Sequence, residues 1–160
     1  MLVFTARGHL IPNLNIRASV DEIKLNFVDT FATGKRQELF EKYKEYSEEL
    51  KKVVAQDELL QWIDGSFVTK DNSPGDIDMV TFLPFEVVEK QEKALENFKY
   101  PLSLNNFGVD AYIVKTYPNN HPKYALYISD RAYWMEQFDK TKRNRAGNRY
   151  PKGFLEVFFK

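Results

Sequence analysis

The sequence predicts an α/β (α+β) chain. Two observations carry that prediction. Short runs rich in apolar, β-branched and aromatic residues recur at 59–63, 78–83, 109–114 and 154–158. Before the first of them and between the second and third lie longer stretches whose apolar residues return at helical spacing, at 35–54 and 86–98. Strand and helix signals that interleave in this way point to a sheet covered by helices. At 160 residues, the chain is long enough for one domain with a real core. We expect a single domain over 1–160, with an N-terminal arm and helices over 1–56 and the core sheet and a basic C-terminal segment over 57–160.

Taken in order, residues 1–18 read as an irregular arm with a short strand at 2–5, because Gly8, Pro12, Asn13 and Asn15 interrupt any period. Ser19 followed three residues later by Glu22 is a capping box, so a short helix follows with Ile23 and Phe27 on its buried face. Thr33-Gly34 ends it, and a longer helix over 35–54 buries Leu39, Phe40, Tyr43, Tyr46, Leu50, Val53 and Val54. Its interspersed Lys, Arg and Glu read as a solvated face. The strand at 78–83 stops at Pro84, and the helical stretch 86–98 stops before Pro101. Residues 117–122 are a Pro- and Asn-rich loop, 124–128 a further strand, and 131–138 a short helix burying Tyr133, Trp134 and Phe138. The last strand is 154–158.

Composition narrows the function. The chain has 23 basic and 23 acidic residues, so only local charge can recruit a polyanion. With no cysteine there is no disulfide, thiolate metal site or thiol nucleophile, which suits a cytoplasmic setting. No apolar run approaches ~18 residues and no signal-peptide pattern opens the chain, so no membrane association is expected. His9 and His121 are isolated, without a second ligand at metal spacing, and no Ser-His-Asp order or Gly-rich phosphate motif is present.

The stretch Gln61 to Leu83 carries the chemistry. Asp76 and Asp78 are two apart, so on a strand they share a face. At ~4 Å and an effective dielectric of ~20, two such carboxylates repel by about 4 kcal/mol. Protonation, separation or a bound cation relieves that repulsion. Upstream, Gly65-Ser66 sits where a strand gives way to a loop, a place where backbone amides and a hydroxyl reach a phosphate. The plainer alternative is a turn entering a strand, with both carboxylates solvated.

Gly65-Ser66, a nine-residue gap, then Asp76-Ile77-Asp78-Met79 resembles the signature of the DNA polymerase beta-type nucleotidyltransferase superfamily. Asp110, on the later strand-like run Val109 to Val114, fits its third carboxylate. Trp62-Ile63-Asp64-Gly65-Ser66-Phe67, Pro74-Gly75-Asp76-Ile77-Asp78 and Pro151-Lys152-Gly153 are similar to a group of small stand-alone bacterial members. The resemblance implies a nucleotidyltransferase fold, a small mixed sheet backed by helices, with an N-terminal helical extension. It further implies that Asp76, Asp78 and Asp110 hold Mg²⁺ or Mn²⁺ and act as the catalytic carboxylates. Asp110 would also help deprotonate an attacking hydroxyl, and Gly65, Ser66, Lys70 and Lys152 would contact the nucleotide phosphates. The implied reaction moves a nucleoside monophosphate from an NTP, ATP foremost, to a protein, tRNA or small-molecule hydroxyl. Toxin–antitoxin or phage-defence systems, with an operon-encoded partner protein, are the implied setting. Asp64 departs from the apolar residue usual before the Gly. The rival reading is a non-catalytic nucleotide- or RNA-binding module, acting as an antitoxin or an assembly subunit.

Over 140–152, Lys140, Lys142, Arg143, Arg145, Arg149 and Lys152 meet no acid. Such a run is either a solvated loop or a surface for a triphosphate or an RNA or protein acceptor. Among the aromatics, Tyr112, Tyr117, Tyr124, Tyr127, Trp134 and Tyr150 can stack a base, with Tyr117 preferred because it follows the Asp110 strand.

Overall fold

The computed structural model describes all of residues 1–160. A hairpin of two short strands, β1 (Val3–Phe4) and β2 (Leu10–Ile11), precedes strand β3 (Asn15–Arg17). Helices α1 (Val20–Phe27) and α2 (Gly34–Val54) lead into β4 (Leu59–Asp64). After a loop comes β5 (Asp78–Pro84), then α3 (Phe85–Lys90), α4 (Glu92–Leu95) and α5 (Leu102–Phe107). Strand β6 (Asp110–Thr116), helix α6 (Tyr124–Phe138) and strand β7 (Phe154–Phe159) complete the chain.

Five strands form one mixed sheet in the order β3-β7-β4-β5-β6. The outer pairs, β3 with β7 and β5 with β6, are parallel; β7 with β4 and β4 with β5 are antiparallel. The fold is therefore mixed α/β, a five-stranded mixed sheet backed by helices. The arm expected to be irregular supplies an edge strand, so the boundary at 56 does not divide arm from sheet.

Alternation along the strands separates two apolar layers. Ile63, Met79, Leu83, Ala111, Leu155 and Val157 face α1, α2 and the α3–α5 segment in the larger core. Trp62, Val80, Phe82, Val114 and Phe154 face α6. On that side the Trp62 ring meets Phe82 and Phe154 edge-on at 4.8 and 5.0 Å. Its Nε1 donates to Glu156 Oε2 at 2.9 Å, which satisfies a buried donor.

The capping box at Ser19 and Glu22 forms as expected. Helix α2 buries the expected apolar residues with Val53 only half-buried, and it also buries Arg36 and Ser47. Ser47 and Tyr43 bond the amide of Gln61 on β4, which satisfies the polar groups between helix and sheet. The 86–98 stretch is not one helix. It breaks at Gln91, and its last turn is a 3-10 turn.

Residues 124–128 form no strand. They are the first turns of α6, and Tyr124, Tyr127, Arg131, Trp134 and Phe138 make its inward stripe. A short apolar run fits either period, and here the helical one wins because Trp134 and Phe138 continue it against the sheet. Tyr133 is exposed rather than buried, contrary to expectation, and stands at the rim of the cavity that Trp134 also lines. No helix is long and apolar enough to cross a membrane.

Candidate functional site

Strand β4 ends where β5 and β6 begin. The register pairs Asp64 with Asp78 and Asp78 with Asp110. Cross-strand partners share a face, so these three carboxylates form one row on the α6 side. Asp76, just ahead of β5, joins its end. Asp76, Asp78 and Asp110 each bring a carboxylate oxygen within 4.8 Å of the others. Asp110 Oδ1 is buried without a hydrogen-bond partner. Carboxylate oxygens so placed suit a hard divalent cation, which takes oxygen ligands at about 2.0–2.6 Å.

The local chain is shaped to permit this. Gly65 leaves β4 at φ +88°, a conformation that L side chains rarely adopt. A Cβ there would stand 3.2 Å from Asp78 Oδ2 and 3.4 Å from the Asp76 carbonyl. Ser66 then opens a 3-10 turn (Ser66–Val68), and its Oγ accepts from the Gly75 N–H at 3.3 Å. That bond clasps the two ends of the loop and sets where Asp76 emerges. Arg36 braces the loop from below. Its guanidinium donates to the carbonyls of Phe27 at 3.0 Å, Phe67 at 2.7 Å, Thr69 at 2.8 Å and Asp71 at 3.1 Å. From the sequence, Arg36 reads as one of the solvated charges of α2. No periodic signal separates it from the neighbouring Lys and Glu of α2.

Like charges in a row are costly, and the structure shows two responses. Lys152 Nζ donates to Asp64 Oδ1 in a buried ion pair, each residue being 5% exposed. Burial pushes the Asp64 carboxyl up to about 6, against the pull of Lys152. Asp64 therefore carries its own counter-charge. Burial also pushes the Asp78 carboxyl up to about 7, with Asp76, Asp64 and Asp110 adding to the rise and Lys142 opposing it.

A cavity of about 230 Å³ opens over the row. Asp64, Asp78 and Asp110 line its floor, Tyr112 and Trp134 form an aromatic wall, and Lys140, Lys142, Arg149 and Lys152 supply cations. The Tyr112 and Trp134 rings lie 4.5 Å apart. The basic segment is an ordered excursion between α6 and β7. Lys140 bridges to Pro151, the Thr141 N–H donates to the Tyr150 carbonyl at 2.8 Å, and the Lys152 N–H donates to the Asp139 carbonyl at 2.9 Å. Gly153 ends it beneath the hairpin. A Cβ there would stand 2.6 Å from Ile16 Cδ1 and meet the Pro12 carbonyl.

The structure thus brings together Gly65, Ser66, Asp76, Asp78 and Asp110. Lys152 reaches the same end of the sheet, but its ammonium is buried against Asp64, which corrects the expectation that it contacts a phosphate. The structure does not bring Lys70, which corrects that expectation as well. The Lys70 Nζ stands 4.2 Å from the Phe4 ring centroid and donates to the Asn26 carbonyl, so aromatic faces and a carbonyl hold the cation there. Tyr117 is corrected too. It lies beyond the far end of β6, buried and stacked on Phe85 at 4.8 Å. The aromatic wall comes instead from Tyr112 and Trp134, whose shared face depends on α6 being a helix.

No curated protein and no solved structure matches this chain. A family model does match it, over residues 2–158, nearly the whole length. With the hairpin, the sheet, the carboxylate row and the basic excursion all inside that span, the chain belongs to DUF6932, a family of unknown function.

Proposed function

We propose that this protein is a metal-dependent nucleotidyltransferase of the polymerase beta type, which moves a nucleoside monophosphate from an NTP to a hydroxyl acceptor. One observation carries the reading. Asp110, more than thirty residues further along the chain, converges with the neighbouring pair Asp76 and Asp78 within 4.8 Å, beside the Gly65-Ser66 turn. The residues present fit Mg²⁺ or Mn²⁺: an all-carboxylate donor set with one buried oxygen lacking a partner. Bound there, a divalent cation would neutralise charge on the transferring phosphate and its leaving group.

The chain's own residues have distinct parts. Asp76 and Asp78 anchor the cation site at the mouth of the loop. Asp110 accepts the proton of the acceptor hydroxyl as its oxygen bonds to the α-phosphorus. The bond from that phosphorus to the bridging β-oxygen breaks, and pyrophosphate leaves with the electron pair. Ser66 and the amides after Gly65 lie beside the β- and γ-phosphates. Lys140, Lys142 and Arg149 face the same cavity and offset their charge. Tyr112 and Trp134 offer the base a flat wall. Asp64 and the short loop 68–75 are the two sequence features that favour a non-catalytic module. The pairing of Asp64 with Lys152 offsets the negative charge of the first.

The test is label transfer from each α-labelled NTP with Mg²⁺ or Mn²⁺ into a lysate of RNA and protein, with Asp110→Asn run alongside. Label entering a macromolecule with the wild type and not the variant supports the reading. Equal labelling with both proteins, or none with any nucleotide, overturns it.

A further inference from the structure

We propose that the groove between the β1–β2 hairpin and the basic excursion seats a single-stranded nucleic acid, with Arg7, His9, Lys142 and Tyr150 holding its backbone and a base. This deepens the transferase reading and rests on it for one point only, that the strand is the acceptor.

The groove is shallow and open to solvent, and is lined by Arg7, His9, Thr141, Lys142, Asn144 and Tyr150. It is separate from the carboxylate pocket yet shares Lys142 with it, so one side chain faces both. The Arg7 guanidinium lies 4.1 Å over the Tyr150 ring, and the His9 ring stands 6.2 Å from Tyr150 at 35°. Flat planes thus alternate with cations, the composition by which proteins hold unpaired bases and their phosphates. No carboxylate lines the groove, so a phosphate there meets no like charge. Arg143 and Arg145, both exposed on the same excursion, extend the positive track outward in a chain whose formal net charge is zero.

His9 adds support. Burial, then Lys152 and Arg7, lower its pKa, so the imidazole sits in a positive field that an incoming phosphate would relieve. A peptide acceptor would favour a free strand edge for backbone pairing, and β1 and β2 are two residues each. A polynucleotide needs no such edge.

The probes are fluorescent single-stranded RNA and DNA 12-mers of mixed sequence, titrated in EDTA and about 50 mM salt, with anisotropy as the readout. We expect saturable binding of at least one. Arg7→Glu should weaken it about tenfold and flatten the salt slope by about one, while Lys93→Glu on α4 leaves it unchanged. On the wild type, the His9 ring protons should shift with the oligonucleotide and those of His121, the only other histidine, should not. Failure of both oligonucleotides to bind, equal effects of Arg7→Glu and Lys93→Glu, or equal competition by polyglutamate would overturn the proposal. Because no metal or NTP is present, binding without label transfer would sink the transferase reading alone. Label transfer to protein without oligonucleotide binding would sink the groove alone.

Discussion

Replacing Asp78 with Asn should stabilise the metal-free protein. Asp78 lies between Asp64 and Asp110 in the row, and its pKa rises from an ordinary 3.8 to about 7, chiefly through burial. A raised carboxylate pKa means that the native state holds more protons than the unfolded chain between those values. Stability therefore falls as pH rises from about 4 to about 7 and stays low above that. The gap corresponds to about 4 kcal/mol of penalty on the charged form. Asn keeps the shape and drops the charge, but its amide must still be buried, so we expect a gain of about 2–3 kcal/mol. For a chain of this size, that raises Tm by about 5–10 °C at pH 8. The assay is thermal melting of both proteins in EDTA at pH 5 and pH 8. The gain should nearly vanish at pH 5, where Asp78 is already protonated. Adding Mg²⁺ at pH 8 should raise the wild type and not the variant. No gain at pH 8, or an equal gain at both pH values, would refute the reasoning.

Lys152→Met should cost about 3–5 kcal/mol at pH 8 by leaving Asp64 charged and buried without its partner. Burial raises the Asp64 carboxyl and Lys152 holds it down to about 6, so without Lys152 the carboxyl takes up a proton at higher pH, and chemical denaturation should show the loss shrinking as pH falls toward 5. Arg36→Lys keeps the charge but loses the planar fork that serves the Phe27, Phe67, Thr69 and Asp71 carbonyls. We expect a loss of about 2–4 kcal/mol and faster amide exchange confined to residues 67–76. Gly65→Ala should cost about 1–2 kcal/mol through its φ alone, and crowding of Asp78 Oδ2 should cut label transfer far more than it cuts Tm. A Tm loss with transfer unchanged would separate this turn from the chemistry.

What the sequence made legible followed from short-range rules. Asp76 and Asp78 were placed together by their two-residue spacing and Gly65-Ser66 by the break between strands. Both readings used residues that are neighbours in the chain. The capping box at Ser19 is of the same kind. The partner of Asp64 was not legible. Lys152 lies far along the chain and reaches Asp64 only because β7 inserts beside β4. Arg36 escaped notice for a related reason, since its acceptors are backbone carbonyls, which leave no mark on composition. Helix α6 was misread over 124–128 because Tyr-Ala-Leu-Tyr-Ile satisfies both periods. That error hid the wall of Tyr112 and Trp134, which come together only when a helix crosses the start of β6.

The position of β7 has a consequence for synthesis. It is an interior strand, flanked by β3 and β4, yet both neighbours leave the ribosome about ninety residues or more before it. Until residue 159 emerges, β4 keeps an unpaired apolar edge, and Asp64 lacks the ammonium that Lys152 later brings. A nascent chain paused between β6 and β7 would hold Asp78 and Asp110 on strands that can already pair, with Asp76 just ahead of them, but with an open sheet beside them. Exposed edges of this sort invite intermolecular pairing. The chain thus passes through a sticky interval that ends only with its final strand, and assembly of the charged row is tied to the same event. Slow codons or chaperone occupancy over residues 117–153 would lengthen that interval, and faster translation through them would shorten it.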